Sequence, residues 1–145
     1  KKDTTKDIKK FEKSSYSAHE NTSLVLNKDQ IITNIKNKSF ELIDARGRER
    51  FLGLQPEARK ELRSGNIEGS KNMPFTELIN SADHTFKKKE ELISIFEKNK
   101  IDPNKKIAFT CGSGMTACVL GLTNSIISGR KPVVYDGSWA EYGIK

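Results

Sequence analysis

The sequence predicts a single α/β domain, with a central parallel sheet and helices on both of its faces. From Asn21 onward, short apolar runs alternate with stretches whose apolar residues recur at helical spacing. Such alternation is typical of parallel strands joined by helical crossovers, because a parallel connection needs a long segment to return to the same edge. The length of 145 residues also suits one hydrophobic core rather than two separate domains.

The first half of the chain predicts two strands with a helix between them. The strands are the short apolar runs at 23–26 and 39–44. Asp29 is a suitable N-cap for the helix that joins them. A long loop with one turn of helix follows the second strand over 47–66. Helical spacing places three apolar side chains on one face of the first helix: Ile31, Ile32 and Ile35.

The second half predicts two more strands and a very short extended piece interrupted by Gly69. The run at 106–110 is the most strand-like of the chain, and 132–135 is the last strand. A helix begins around Met115, and Gly129 can end it. The other predicted helices cover 75–80 and 88–99.

Composition and charge exclude several classes of protein. No stretch approaches the run of about 18 apolar residues that a transmembrane helix requires, so no membrane span is expected. The net charge of +7 is spread along the chain without an aromatic–basic recognition motif, which disfavours direct nucleic-acid binding. Two cysteines and two histidines give neither a disulfide framework nor a convincing metal site. This cysteine usage favours a reducing compartment.

Residues 1–20 are predicted to be a basic flexible tail or an interdomain linker, and residues 21–145 to be the folded domain. The tail is rich in lysine, and its apolar residues are too sparse to hold a helix against a core. Because the chain does not begin with Met, we expect it to be a fragment or a processed product.

The clearest chemical signal is the cysteine loop, residues 111–117, which reads Cys-Gly-Ser-Gly-Met-Thr-Ala. Cys111 follows a predicted buried strand and precedes a helix, at the sheet edge where open parallel sheets bind ligands. Gly112 and Gly114 allow backbone N–H groups to point inward as an anion nest, and the helix N-terminus adds further N–H groups. Because this environment favours a thiolate, Cys111 is predicted to be an activated nucleophile.

Two chemistries suit such a nucleophile, namely phosphoryl transfer and sulfur transfer. Cysteine-dependent phosphatases end the corresponding loop with an arginine that clamps the phosphate. Ala117 stands at that position here, and the cysteine loop contains no Arg or Lys. A neutral loop instead suits a persulfide on Cys111 that is stabilised by backbone N–H groups.

Some of the remaining chemistry-bearing residues are predicted to be structural. Asp44 and Arg46 close the second strand and are expected to form an internal ion pair rather than to touch a substrate. Trp139 is expected to pack beneath the cysteine loop. Cys118 lies among apolar neighbours in the following helix, so we expect it to pack in the core rather than to react.

Four stretches of the chain resemble the rhodanese superfamily. The segment at 111–118 is similar to the active-site loop of its 3-mercaptopyruvate sulfurtransferases. Residues 65–74 resemble the glycine-turn signature of the superfamily, and residues 135–142 resemble its C-terminal signature. The segment at 50–59 is similar to the part that holds the substrate arginines. The resemblance therefore covers most of the chain from 42 to 142.

The resemblance implies a sulfurtransferase in which Cys111 attacks the sulfur of 3-mercaptopyruvate, becomes a persulfide and releases pyruvate. Arg50 and Arg59 would bind the carboxylate and the carbonyl of this donor, a task that suits the fork of a guanidinium. Ser113 would add its hydroxyl to the activation of the site. No cofactor and no metal are implied. The residues that would form the cradle around the persulfide are Gly112, Ser113, Gly114, Met115 and Thr116.

The resemblance also implies partners and leaves alternatives open. Such proteins usually carry two rhodanese domains, and this chain resembles the second, so an N-terminal rhodanese domain is expected outside it. The sulfur acceptor would be a thiol, as on thioredoxin or a sulfur-relay protein, in the cytoplasm, the mitochondrion or both. The alternatives are thiosulfate as the donor, a protein-persulfide relay serving tRNA thiolation as in some fungal relatives, and a non-catalytic docking module.

Overall fold

Five parallel strands form one sheet at the centre of the protein. The computed structural model describes residues 6–8 and 10–145. The strands lie in the order β1-β5-β4-β2-β3, and all neighbouring pairs are parallel. This arrangement confirms the predicted fold class. In chain order the strands are β1 (Val25–Leu26), β2 (Glu41–Asp44), β3 (Lys71–Asn72), β4 (Ile107–Thr110) and β5 (Val134–Tyr135).

Helices cover both faces of the sheet, as predicted. Strand β4 shows the division, because Ala108 belongs to one apolar cluster and the neighbouring Phe109 to the other. Ile31 of α1 and Trp139 of α5 pack with Ala108, whereas Leu120 of α4 packs with Phe109. The helices are α1 (Lys28–Asn37), α2 (Arg48–Phe51), α3 (Lys89–Lys98), α4 (Met115–Ser128) and α5 (Ser138–Tyr142), with 3₁₀ turns at Thr22–Leu24 and Phe75–Leu78.

The first predicted helix needs two corrections. Its N-cap is Asn27 rather than Asp29, and the Asn27 side chain accepts a hydrogen bond from the backbone N–H of Gln30. Ile32 is not on the buried face, since its side chain is 40% exposed while that of Ile31 is fully buried. Consecutive residues of a helix point about 100° apart, so the two isoleucines cannot share one narrow apolar stripe.

Asn34 occupies the buried position next to Ile31 on α1. Its amide nitrogen donates to the backbone carbonyl of Phe40 at 3.0 Å, and its amide oxygen accepts from the Phe40 N–H at 3.0 Å. These two bonds satisfy a polar side chain that would otherwise be costly to bury. They also fix the turn between α1 and β2. The helix predicted at 75–80 is also corrected, because the structure has only the short 3₁₀ turn Phe75–Leu78 there.

The predicted tail is described only in part, because residues 1–5 and 9 lie outside the described residues. The described residues between 6 and 20 are exposed and form no helix or strand. Across the described portion of the chain, none of the helices combines the length and the apolar character that crossing a membrane demands.

The buried face of α1 gives a stability prediction. Ile31→Ala should lower the free energy of unfolding by about 2–5 kcal/mol, because it empties a fully buried site. Ile32→Ala removes the same atoms from a partly exposed side chain and should cost clearly less. Urea unfolding of the two variants measures both losses. Equal losses would contradict the assignment of the buried face.

Candidate active site

Cys111 lines a small open cavity of about 260 Å³ at the carboxyl edge of the sheet. It directly follows β4, and its side chain is 2% exposed. The sequence placed eight residues at the candidate site, and the structure brings seven of them to this cavity. The seven are Arg50, Arg59, Cys111, Gly112, Ser113, Met115 and Thr116.

The cysteine loop is anchored by the chain that follows β5. The backbone carbonyl of Cys111 accepts a hydrogen bond from the Trp139 N–H at 3.0 Å, and that of Gly112 accepts one from the Ala140 N–H at 2.8 Å. Trp139 is 1% exposed and packs in the core, as predicted. The start of α5 therefore fixes the position of the nucleophile.

Ser138 completes this anchor with its side chain. Its hydroxyl oxygen accepts hydrogen bonds from the Cys111 N–H and from the Thr110 hydroxyl, each at 3.2 Å. The same hydroxyl donates to the backbone carbonyl of Tyr135 at 2.8 Å. Ser138 adopts a φ of 51°, a left-handed conformation that is uncommon outside glycine. Local strain of this kind persists only where surrounding contacts hold it, which three hydrogen bonds to a buried hydroxyl do here.

Tyr135 lies fully buried just before this anchor. Its phenol donates to a carboxylate oxygen of Glu141 at 2.6 Å. Burial, reinforced by the bond to Glu141, raises the pKa of Tyr135 well above its usual range. The phenol therefore stays protonated and keeps its hydrogen bond to Glu141.

The two glycines of the cysteine loop have different structural tasks. Gly112 allows a guanidinium to approach, because a Cβ there would lie 3.2 Å from a terminal nitrogen of Arg50. Gly114 has a φ of 84°, and a Cβ there would lie 2.7 Å from a carboxylate oxygen of Asp136. Gly114 is buried and does not line the cavity, so it contributes the turn that starts α4 rather than part of the wall.

A buried chain of alternating charges lies beside the cavity. The guanidinium of Arg46 pairs with Asp44 at 2.8 Å, which confirms the predicted internal ion pair. Arg46 also donates to a carboxylate oxygen of Glu57 at 2.7 Å, and the other oxygen of Glu57 accepts from Arg50. The side chains of Asp44, Arg46 and Glu57 are at most 2% exposed. Each buried charge is thus both paired and hydrogen-bonded, as burial of ions requires.

Arg50 approaches the cysteine loop at Gly112. Glu57 fixes one of its terminal nitrogens, whereas its buried Nε donates to none of the residues that the structure describes. A buried N–H without a partner is costly, but this one is closed to solvent, so a bound molecule would meet the accessible remainder of the side chain, which is 36% exposed. Arg59 also lines the cavity, with an exposed side chain that forms no ion pair within the described residues.

The net charge around Cys111 is small. The charged side chains at the site are three arginines and two carboxylates, so their formal net charge is +1. They are Arg46, Arg50, Arg59, Asp44 and Glu57. The cysteine loop itself adds no charged side chain. The site therefore suits a ligand with one negative charge placed against the arginines and an uncharged reacting group beside Cys111.

The position of Cys118 contradicts the prediction that this residue packs in the core. Its side chain is exposed, and its thiol donates to the backbone carbonyl of Gly114 at 3.4 Å. The buried neighbour on α4 is Ala117, and one step along a helix turns the side chain by about 100°. Apolar neighbours in sequence therefore did not indicate a shared buried face.

Two residues of the site went unnoticed in the sequence. Glu57 lies between the two predicted arginines, so a carboxylate inside an arginine-bearing segment was the available signal. Ser138 lies within the segment 135–142 that resembles a family signature, but nothing local indicated that its hydroxyl reaches Cys111. Both roles depend on contacts between separate segments of the chain.

The sequence of this chain is similar to a known protein family and to individual known proteins. The family model for the rhodanese-like domain matches residues 27–145. The chain is 40% identical over 134 residues to 3-mercaptopyruvate sulfurtransferase of Mus musculus, covering 90% of this chain and 44% of that protein. It is also 40% identical over 123 residues to thiosulfate sulfurtransferase of Mus musculus, covering 84% and 41%. The chain therefore spans less than half the length of these relatives.

Solved structures agree with this relationship. The Tum1 protein of Saccharomyces cerevisiae matches with a TM-score of 0.75 and 26% identity, covering 83% of this chain and 43% of that chain. A sub-stoichiometric sulfur transferase subunit of yeast mitochondrial complex I matches with a TM-score of 0.73 and 34% identity, with the same coverages of 83% and 43%. The family model spans most of the chain, and the parallel sheet and the anchored cysteine loop agree with it. The chain therefore belongs to the rhodanese family.

Proposed function

We propose that this domain is a sulfurtransferase that takes sulfur from 3-mercaptopyruvate as a persulfide on Cys111 and passes it to a thiol. The observation that carries the proposal is the placement of Cys111, a neutral loop and two arginines around one small cavity. Its relatives of both donor types, named for 3-mercaptopyruvate and for thiosulfate, support sulfur transfer in general. The choice of donor rests on the charges of the site.

Loading of Cys111 would proceed by nucleophilic attack. The thiolate of Cys111 attacks the sulfur of the donor, so an S–S bond forms while the C–S bond breaks. The electron pair of the broken bond leaves with the carbon fragment, which takes up a proton and departs as pyruvate. Arg50 and Arg59, whose side chains both reach solvent, would hold the carboxylate and carbonyl oxygens of the donor. Ser113 is an exposed residue of the cysteine loop, and its hydroxyl would contribute to the activation of the site.

Release of the sulfur needs a second thiol. The thiolate of an acceptor attacks the outer sulfur of the persulfide, a new S–S bond forms on the acceptor, and the Cys111 thiolate departs. Met115 is 77% exposed and lines the mouth of the cavity, so it can contact a protein that approaches Cys111. A thioredoxin-like acceptor and a sulfur-relay protein both suit this exposed mouth.

The charge of the site favours 3-mercaptopyruvate over thiosulfate. The set around Cys111 sums to +1, and the carboxylate of 3-mercaptopyruvate matches one positive charge. Thiosulfate carries two negative charges and would bring one of them close to the buried Glu57 carboxylate. The neutral cysteine loop provides no second cation to offset that charge.

A protein persulfide as the donor is the second candidate, and the exposed Met115 favours it. Such a relay would use the same Cys111 chemistry without the arginines as substrate ligands.

A mitochondrial location finds support in the mitochondrial sulfur transferase neighbour, and a cytoplasmic one remains part of the proposal. The N-terminal rhodanese domain expected from the resemblance belongs to the proposal as well.

The persulfide is directly testable by intact-protein mass. Brief exposure to 3-mercaptopyruvate should add the mass of one sulfur atom to the chain, because Cys111 retains the sulfur after pyruvate leaves. Cys111→Ser should add none, whereas Cys118→Ser should load like the unchanged protein. Loading that persists in Cys111→Ser would contradict the assignment of the nucleophile.

The arginines have a separate test with a control on the same short helix. Arg50→Ala and Arg59→Ala should each lower kcat/KM for 3-mercaptopyruvate by about 10- to 100-fold, as expected for loss of a charged hydrogen bond to substrate. Arg48→Ala removes an exposed guanidinium that does not line the cavity and should have little effect. Cys111 alkylation by iodoacetamide should be similar in all three. If the three variants retain equal activity, the arginines are not substrate ligands.

Glu57 gives a prediction on donor choice. Glu57→Gln keeps the side-chain size but removes one buried negative charge, so the site gains one unit of positive charge. The ratio of kcat/KM for thiosulfate to that for 3-mercaptopyruvate should then rise by about tenfold. Glu61→Gln, a change of an exposed glutamate four residues away, is the matched control. An unchanged ratio in a folded Glu57→Gln protein would show that the charge of the site does not set the choice of donor.

A further inference from the structure

A second cavity lies at the edge of the sheet opposite Cys111. Its volume is about 490 Å³, within the range of roughly 300–1,000 Å³ that is usual for small-molecule sites. Ile107, the first residue of β4, lines it, while Cys111 follows the last residue of the same strand. At about 3.3 Å per residue the two positions are about 13 Å apart, so this cavity is separate from the sulfur site. We call it the basic cavity.

The basic cavity combines an apolar floor with a cationic rim. The rim consists of Lys105, Lys106, Arg130 and Lys131, and no described residue that lines the cavity is acidic. Lys105 lies 3.7 Å from Glu41, which also pairs with Lys71. The other three rim cations form no ion pair within the described ranges 6–8 and 10–145. The floor is formed by Leu26, Phe40, Ile107, Ala108 and Val133.

Asn124 supplies a buried polar group to the same cavity. It lies in the second half of α4, lines the cavity and is only 3% exposed. Its amide oxygen is buried and accepts no hydrogen bond from any described residue. A buried acceptor without a donor is destabilising, so native proteins rarely retain one without a partner. Asn34, the other buried asparagine, shows the usual outcome, because its amide nitrogen and its amide oxygen are both hydrogen-bonded.

We propose that the basic cavity binds a small anion with a flat apolar body that carries an N–H donor. The apolar body would cover the floor, the N–H would satisfy the Asn124 amide oxygen once this amide turns toward the cavity, and the negative group would lie among the rim cations. A neutral apolar ligand would leave the cations unused, and a compact inorganic anion would leave the floor and Asn124 unused. Aromatic carboxylates and purine nucleotides share the required chemistry.

The test uses the whole chain and two probes of this chemistry. Indole-3-acetate presents an apolar ring, an N–H donor and a carboxylate, and AMP presents an aromatic base, an exocyclic amine and a phosphate. Methyl NMR of Leu26, Ile107 and Val133 should show saturable shifts with at least one of them. Indole-3-acetamide, the neutral counterpart of the first probe, should bind at least tenfold more weakly. The tighter probe assigns the ligand to the carboxylate or the phosphate class.

Two kinds of variant separate the proposal from a general attraction of anions. Asn124→Leu keeps the volume but removes the amide and should weaken probe binding at least fivefold. Lys106→Gln combined with Lys131→Gln changes only exposed side chains and should weaken it at least tenfold, whereas Lys36→Gln on α1 should leave it unchanged. All of these variants should still load sulfur on Cys111. Shifts that do not saturate, or equal binding of the acetamide, would overturn the proposal.

Discussion

The buried guanidinium of Arg46 joins the segments that surround Cys111. It pairs with Asp44 at the end of β2, donates to Glu57 and to the Gly65 carbonyl, and lies 4.5 Å from the centre of the Trp139 ring. A buried ion is tolerated only when its partners satisfy it, so these contacts must form together. Glu57 then holds Arg50 beside the cysteine loop. The charged side chains near Cys111 are therefore fixed in the wall of the cavity. The cysteine loop, which would receive the sulfur, contains no charged side chain.

Strand β4 and helix α4 link two chemically different edges of one sheet. Cys111 follows β4 and precedes α4, so the nucleophile sits where a strand end and a helix start bring backbone N–H groups together. The first residue of β4 and the second half of α4 meet again at the basic cavity, where side-chain cations replace backbone donors. The same two elements thus position a site for sulfur chemistry and a separate site with the features of anion binding.

The sequence predicted the fold class and most of the residues around Cys111 because their signals are local. The cysteine loop is one short segment between a strand and a helix, whereas Arg50 and Arg59 were assigned through the resemblance of one other segment to a known family. Glu57 and Ser138 could not be predicted in the same way, since they act on Arg46 and Cys111 across 11 and 27 residues of sequence. The error at Cys118 came from reading apolar neighbours as a face without fixing the rotation of α4. Asn124 shows the same limit, because only its packing reveals the unpartnered amide oxygen.

A crystal structure of the sulfur-loaded protein is the most direct test of the neutral cradle. If the loop cradles the sulfur, the outer sulfur of a Cys111 persulfide will lie within hydrogen-bond distance of backbone N–H groups of the cysteine loop. The guanidinium of Arg50 should remain on Glu57 and point away from that sulfur. An outer sulfur held by Arg50 or Arg59, or a persulfide on Cys118, would contradict it.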